Sequence, residues 1–232
     1  MTQIESDALV VRTVEVGESD VVATLMTERA GKIAALARGA RKGSRRMGGA
    51  LEPVHTVSVL LDDRGQELTT LKEARIVRLR SAVASNLEAL EAAGIALRWA
   101  RHVFPLRTPE PGGWLALVEL LDGLDAGSRS PHRDLARAGL SMLSAIGYGL
   151  DFARCVACGR VCPDGRRAGL DQARGGLVCR SCGGGSTVIA AGLRRAAMDL
   201  ARGGSVDVTD ADARQILALV DRAMALHAGF DR

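Results

Sequence analysis

The sequence is poor in aromatic residues, which make up only 3% of its 232 residues. Residues 1–80 contain no Phe, Tyr or Trp at all. Proteins that hold a single nucleic acid strand tightly stack its bases on aromatic side chains, at about 1–3 kcal/mol per base. If residues 1–80 bind such a strand, we therefore expect contact mainly with its backbone, tolerant of base sequence and sensitive to salt.

Segments that direct a protein to a membrane are also missing. The N-terminus MTQIESDALVV has no basic stretch followed by an apolar run, as a signal peptide would. No window approaches the roughly eighteen consecutive apolar residues of a membrane span. We therefore expect a protein of the cytosol, where cysteine thiols stay reduced.

Catalytic motifs are absent as well. The sequence contains no G-x-x-x-x-G-K-[ST], G-x-S-x-G, H-E-x-x-H or G-x-G-x-x-G element. Asp62 and Asp63 precede Arg64-Gly65 and are typical of a hairpin turn rather than a metal site. These observations favour a binding protein over an enzyme.

The first part of the chain is rich in β-branched residues and turn signals. Five short segments of this kind within about eighty residues are typical of a small closed barrel, and the count favours an oligonucleotide-binding (OB) fold. The predicted strands are 7–15, 20–27, 31–39, 54–61 and 67–78.

From residue 81 the apolar spacing becomes helical. In the first helix we expect Leu87, Leu90, Gly94 and Leu97 to form one apolar stripe. Thr209 should cap the last helix through a capping box with Asp212. The predicted fold is thus α+β and multidomain, an OB-fold β-barrel followed by an α-helical domain with an inserted zinc ribbon-like module. The predicted domains are 1–80 (OB fold), 81–150 with 187–232 (helical) and 151–186 (zinc module).

Two CxxC pairs with twenty residues between them have the spacing of a zinc ribbon. Because four thiolates leave no open coordination position, such a site is structural. A thioredoxin-like redox pair or a zinc deaminase would need a βαβ unit or an H-x-E element, and neither is readable. A spare cysteine, Cys162, lies beside the site as a small thiol or replaces Cys158 as a ligand. The predicted ligands of one structural Zn²⁺ are Cys155, Cys158, Cys179 and Cys182.

A basic segment, residues 38–49 (RGARKGSRRMGG), carries five cations and no acid. Like charges on one loop repel each other unless an anion joins them, and Lys and Arg that neutralise phosphates release counterions. The alternative is a solvated loop that only aids solubility; in that case the nucleic-acid surface should lie near Arg194, Arg195 and Arg202. The predicted nucleic-acid-binding residues are Arg38, Arg41, Lys42, Arg45 and Arg46.

Several of these stretches together resemble the bacterial RecO recombination mediators. The resemblance lies in VVRTVEVGESDVVATLMT, GKIAALARGARK and GALEP near the N-terminus, and in GYGLDFARCVACG with GGLVCRSCG around the cysteines. It covers most of the chain. The extra Cys162 departs from the family's four-cysteine pattern. The sequence ends with HAGFDR, which is short for the family, so we expect a missing or reduced C-terminal contact surface.

The resemblance implies a function in DNA repair and recombination in the RecF pathway. It implies binding of single- and double-stranded DNA, annealing of complementary strands, and loading of recombinase onto DNA coated by single-strand-binding protein. RecR and the acidic C-terminal tail of single-strand-binding protein are the implied partners, and the implied location is the cytoplasm, at the bacterial nucleoid. The alternatives are an RNA- or ribosome-associated zinc-ribbon protein and an adaptor that binds only protein.

Overall fold

The structure is a computed structural model that describes residues 2–42, 47, 49–204 and 208–228. Contacts within the chain divide it into two compact units, residues 1–127 and 128–232. The boundary falls inside the predicted helical segment 81–150, and the domain limits given above stay a prediction. Within the described ranges, no helix has both the length and the apolar character needed to cross a membrane.

The first unit begins with five strands, which confirms the predicted β-rich N-terminal part. They close into a barrel in the order β1-β2-β3-β5-β4. Neighbouring strands are antiparallel except for the parallel pair of β3 and β5. The strands are β1 (Thr2–Val16), β2 (Asp20–Thr27), β3 (Gly31–Ala37), β4 (Thr56–Asp63) and β5 (Thr69–Arg78).

Aliphatic side chains fill the barrel, as expected for a segment without aromatic residues. Val10, Leu25 and Leu61 are fully buried there. Met47 and Ala50, from the connection between β3 and β4, are buried in the same core. The far end of the basic segment is thus anchored in the barrel interior by hydrophobic burial.

Three helices complete this unit: α1 (Ser81–Ala84), α2 (Leu87–Val103) and α3 (Pro111–Asp125). The side chain of Asn86 caps α2 by accepting a hydrogen bond from the N–H of Ala89 at 3.1 Å. The apolar stripe predicted for α2 is wrong at three of its four positions, because Leu87 and Leu90 are 72% and 45% exposed and Gly94 is exposed as well. The buried face consists of small residues and one large one: Ala89, Ala92, Ala93, Ala96, Leu97, Trp99 and Ala100.

Polar anchors tie these helices to the barrel. Arg80 is fully buried, and its guanidinium donates to the Asp122 carboxylate of α3 and to the Val54 carbonyl, both at 2.7 Å. Lys32 of β3 donates its ammonium to the Arg101 carbonyl in the last turn of α2. A Cβ on Gly31 would lie 2.0 Å from the Thr108 carbonyl oxygen. Loss of the Arg80 or Lys32 side chain would leave the carbonyls that they bind without a donor. A side chain at Gly31 would force β3 and the backbone of Thr108 apart.

The second unit packs α4 against α5 and α6. The predicted capping box is confirmed: the Thr209 hydroxyl accepts from the Asp212 N–H at 3.1 Å, and the Asp212 carboxylate accepts from the Thr209 N–H at 3.3 Å. A small sheet in the order β6-β8-β7-β9 carries the cysteines. The elements are α4 (Pro131–Ala145), β6 (Asp151–Cys155), β7 (Ala168–Asp171), β8 (Gly176–Leu177), β9 (Thr187–Ile189), α5 (Ala191–Ala201) and α6 (Asp210–Ala228).

Candidate metal centre and nucleic-acid interface

Four of the five cysteines converge on one point. The ligand atoms of Cys155, Cys158, Cys179 and Cys182, which we call the cysteine cluster, all lie within 4.8 Å of one another. A tetrahedral zinc ion with Zn–S bonds near 2.3 Å would set its sulfurs about 3.8 Å apart. The Sγ atoms of Cys158 and Cys179 are 3.8 Å apart. The cysteine cluster therefore has dimensions that fit a tetrahedral thiolate site.

Tight turns place the sulfurs. After the first CxxC pair, the N–H of Gly159 donates to the Cys155 carbonyl at 2.8 Å, and Gly159 has a φ of 71°. After the second pair, the N–H of Gly184 donates to the Cys179 carbonyl at 3.0 Å. The Cys179 N–H also points across the site and donates to the Cys155 sulfur at 3.3 Å. The second CxxC pair therefore helps to position the first.

Hydrogen bonds divide the cluster into easily and poorly ionised thiols. The N–H of Cys179 lowers the pKa of Cys155 to about 6. The hydrogen bond between Cys182 and the Cys179 sulfur raises the pKa of Cys182 to about 12. Four thiolates this close together repel one another, so all four ionise only around a cation. A bound divalent ion would deprotonate them and join the two pairs.

Cys162 lies outside the cysteine cluster. Its thiol points at the Pro163 carbonyl at 3.9 Å. The carbonyls of Cys162 and Pro163 accept hydrogen bonds from the Arg194 guanidinium at 3.1 Å and 2.7 Å. Arg194 is only 1% exposed, so it supports this segment and cannot contact DNA. Two residues of the alternative nucleic-acid surface therefore remain as candidates for contact with DNA: Arg195 on α5 and Arg202 directly after this helix.

The basic segment begins directly after β3. Arg38, Arg41 and Lys42 are exposed, and a 3₁₀ turn covers Ala40–Lys42. Arg45 and Arg46 lie outside the described residues. The structure thus places three of the five predicted cations together on the surface of the first unit.

The β1–β2 turn holds this part of the basic segment in place. The Asp20 carboxylate accepts from the Gly39 N–H at 2.8 Å, and the Ser19 carbonyl accepts from the Arg41 N–H at 3.0 Å. The Gly39 N–H lowers the pKa of Asp20, with help from the Ser19 hydroxyl and the nearby charges of Arg38 and Lys42. Gly39 itself has a φ of 66°, a conformation that glycine adopts without strain. Gly17-Glu18-Ser19-Asp20 therefore positions the cations.

Glu15 is a member of this site that the sequence did not reveal. Its carboxylate lies 3.1 Å from the Arg41 guanidinium, and both side chains are largely exposed. An exposed ion pair contributes at most about 1 kcal/mol, so a phosphate can displace the carboxylate. No local pattern links the two residues, because Glu15 reaches Arg41 only through the pairing of β1, β2 and β3.

Comparison with known proteins gives the same family for both parts of the chain. The family models for the N-terminal and C-terminal parts of Recombination protein O match residues 1–80 and 84–232. Proteins named DNA repair protein RecO are among the relatives. That of Geobacter sulfurreducens is 37% identical over 185 residues, 79% of this chain and 74% of the relative. That of Geobacter metallireducens is 31% identical over 232 residues, 98% of this chain and 93% of the relative. That of Anaeromyxobacter sp. (strain K) is 36% identical over 186 residues, 80% of this chain and 72% of the relative.

Proposed function

Because the chain belongs to the RecO family of DNA repair proteins, we propose that it is a recombination mediator of the RecF pathway. In this proposal it binds single- and double-stranded DNA, anneals complementary single strands, and helps to load recombinase onto DNA coated by single-strand-binding protein. The family consists of mediators and not of enzymes. The observation that carries the proposal is the exposed trio of Arg38, Arg41 and Lys42, fixed on the barrel by the β1–β2 turn.

We assign the barrel to the OB fold. Its closure in the order β1-β2-β3-β5-β4, with one parallel pair, supports this assignment. The predicted DNA contacts are the five cations of the basic segment, including Arg45 and Arg46. Without aromatic residues the barrel binds phosphates and reads no bases, so it releases strands readily and leaves their bases free to pair. Annealing needs both properties.

We propose that the cysteine cluster binds one structural Zn²⁺ in a zinc ribbon-like module. The fit of the sulfur spacing to a tetrahedral thiolate site supports this. Bound zinc would supply folding energy by joining the two CxxC turns, and four sulfur ligands would leave no position for a substrate. Cys162 would stay a free thiol. The module would then act as a rigid support within the second unit.

RecR and the acidic C-terminal tail of single-strand-binding protein are the proposed protein partners. Both follow from membership of the family, as does a location in the bacterial cytoplasm at the nucleoid. Helical surfaces within 81–150 or 187–228 are the proposed site for the tail, because an acidic peptide that ends in an apolar residue needs a hydrophobic surface beside a cation.

The experiment that tests this function measures annealing of complementary strands precoated with single-strand-binding protein, with and without this chain. We expect the chain to speed annealing and to bind single-stranded DNA of any sequence. Binding of RNA in preference to DNA, with no annealing, would favour an RNA-associated role. Absence of binding to either nucleic acid would indicate a protein-only adaptor and would refute the proposal.

A further inference from the structure

Tyr148 differs from the other aromatic residues in its exposure to solvent. It is the only tyrosine of the chain. Trp99, Phe104 and Phe152 are at most 2% exposed, whereas Tyr148 is 44% exposed. Trp114 is half-buried, so Tyr148 is the exposed aromatic residue of the part of the chain that the structure describes. An exposed aromatic ring is a surface on which a nucleic acid base can stack.

The backbone of Tyr148 is fixed by the end of α4. The N–H of Gly147 donates to the Ser144 carbonyl at 3.1 Å, and the N–H of Tyr148 donates to the Leu143 carbonyl at 2.8 Å. Together with the φ of 81° at Gly147, these two bonds form a Schellman motif. In that motif the residue at the position of Tyr148 usually packs back on its own helix. Here the Tyr148 ring stacks on a residue of another helix instead.

The ring of Tyr148 stacks on the imidazole of His227, near the end of α6. The two ring centroids are 4.0 Å apart and the planes differ by 15°. A ring nitrogen of His227 lies 3.4 Å from the Gln172 carbonyl, which fixes the imidazole in turn. One face of the tyrosine ring is therefore covered and held rigid, and its exposed area lies on the other face and the edge.

A cation sits on the turn that supports His227. Arg174 is exposed two residues after Gln172, and its guanidinium reaches the Cys182 carbonyl of the cysteine cluster at 3.5 Å. The same turn is bonded to the segment after Tyr148, because the Asp151 N–H donates to the Gly175 carbonyl at 2.9 Å. Both Tyr148 and Arg174 are thus carried by one hydrogen-bonded surface of the second unit.

We propose that this surface is a second contact for single-stranded DNA, in which a base stacks on the free face of Tyr148 and Arg174 pairs with a neighbouring phosphate. Aromatic rings that stack bases, combined with cations that pair with the strand's phosphates, bind single strands without sequence preference. The contact supplies what the barrel lacks, since residues 1–80 carry no aromatic residue. The inference rests on the proposed DNA binding and adds a base-dependent site to it.

The test compares Tyr148→Leu with Tyr148→Phe, which keeps the ring. Both are titrated with an oligodeoxythymidine strand and with an abasic strand of the same length. Loss of one stacked base corresponds to about 1–3 kcal/mol, or about fivefold to 150-fold in affinity. We expect Tyr148→Leu to lose at least fivefold on the thymidine strand and nothing on the abasic strand, and Tyr148→Phe to bind like the parent. The salt slope should not change, because stacking releases no counterions.

A photocrosslink on the parent protein keeps the test independent of folding. A strand with 5-iodouracil in place of thymine should crosslink to the peptide that contains Tyr148, as identified by mass spectrometry. Crosslinks found only elsewhere, or equal affinity of all three proteins for the thymidine strand, would overturn this inference and leave the proposed function intact. If the parent binds no single strand at all, the proposed function itself fails. Melting temperature and bound metal of Tyr148→Leu report whether its fold is preserved.

Discussion

The double variant Arg38→Ala/Lys42→Ala tests whether the basic segment binds phosphates. Each phosphate contact with a single strand contributes about −0.7 to the slope of log affinity against log salt. The three described cations alone give a slope near −2.1 on this scale, and all five of the basic segment give about −3.5. Removing two exposed contacts should therefore reduce the magnitude of the slope by about 1.4 and weaken all base sequences alike.

The assay is fluorescence anisotropy of labelled oligodeoxythymidine and of a mixed-sequence strand across a salt series, together with the annealing rate. Melting temperature should hardly change, because exposed cations contribute little to folding. A variant with the parental slope and annealing rate would refute the role of this segment. The remaining candidate surface would then be that of Arg195 and Arg202.

Glu15→Gln should have the opposite effect, because its carboxylate competes with phosphate for Arg41. The pair is exposed and contributes at most about 1 kcal/mol, so affinity should rise by no more than about fivefold. Glu18→Gln is the matched control, since Glu18 is exposed on the turn that follows β1 and forms no ion pair within the described residues. Equal affinities of the two variants would show that phosphate does not take the place of the Glu15 carboxylate at Arg41.

Metal analysis and urea unfolding check three further predictions. Cys179→Ser should release the zinc and lower the melting temperature, while Cys162→Ser should keep both; equal loss in the two variants would contradict the ligand assignment. Gly31→Ala should lower the free energy of unfolding by about 2–4 kcal/mol, since its Cβ would overlap the Thr108 carbonyl oxygen at a φ of 71°. Gly94→Ala is the matched control: its Cβ meets open space in α2, so it should raise the free energy of unfolding by about 0.5–1 kcal/mol. Arg80→Met should cost about 1–3 kcal/mol, because the buried Val54 carbonyl and Thr56 hydroxyl lose their guanidinium donor while Asp122 keeps its ion pair with Arg78. A loss below 1 kcal/mol would show that this anchor is dispensable.

Features set by neighbours in the sequence were predictable. The five strands and the Thr209–Asp212 box follow from local residue types and spacing. In these cases the energy that fixes the feature lies within a few positions of the chain. The turn within each CxxC pair is local in the same way, whereas the convergence of the two pairs joins distant segments and was predictable only because the spacing is typical of a zinc ribbon.

Features set by tertiary packing were not predictable. Leu87 and Leu90 fit a helical stripe, yet α2 buries its alanines instead, because small side chains let it pack closely on α3 and β1. The burial of Arg194 also depends on tertiary packing. Its partners are backbone carbonyls of the cysteine segment, and no pattern of side chains in the sequence predicts them. The sequence analysis counted Arg194 among the surface cations, since arginine is rarely buried without partners.

Both candidate sites use the same device, a backbone N–H directed at an anionic group from a distant segment. At the basic segment the Gly39 N–H bonds the Asp20 carboxylate, and at the metal centre the Cys179 N–H bonds the Cys155 sulfur. Each bond favours the charged form of its acceptor, and each lowers the pKa of that group. A backbone donor stays in place when side chains reorient, so Asp20 can hold the loop while Arg38 and Lys42 remain free to turn towards phosphates. Asp20 and Gly39 therefore set the position from which the cations act.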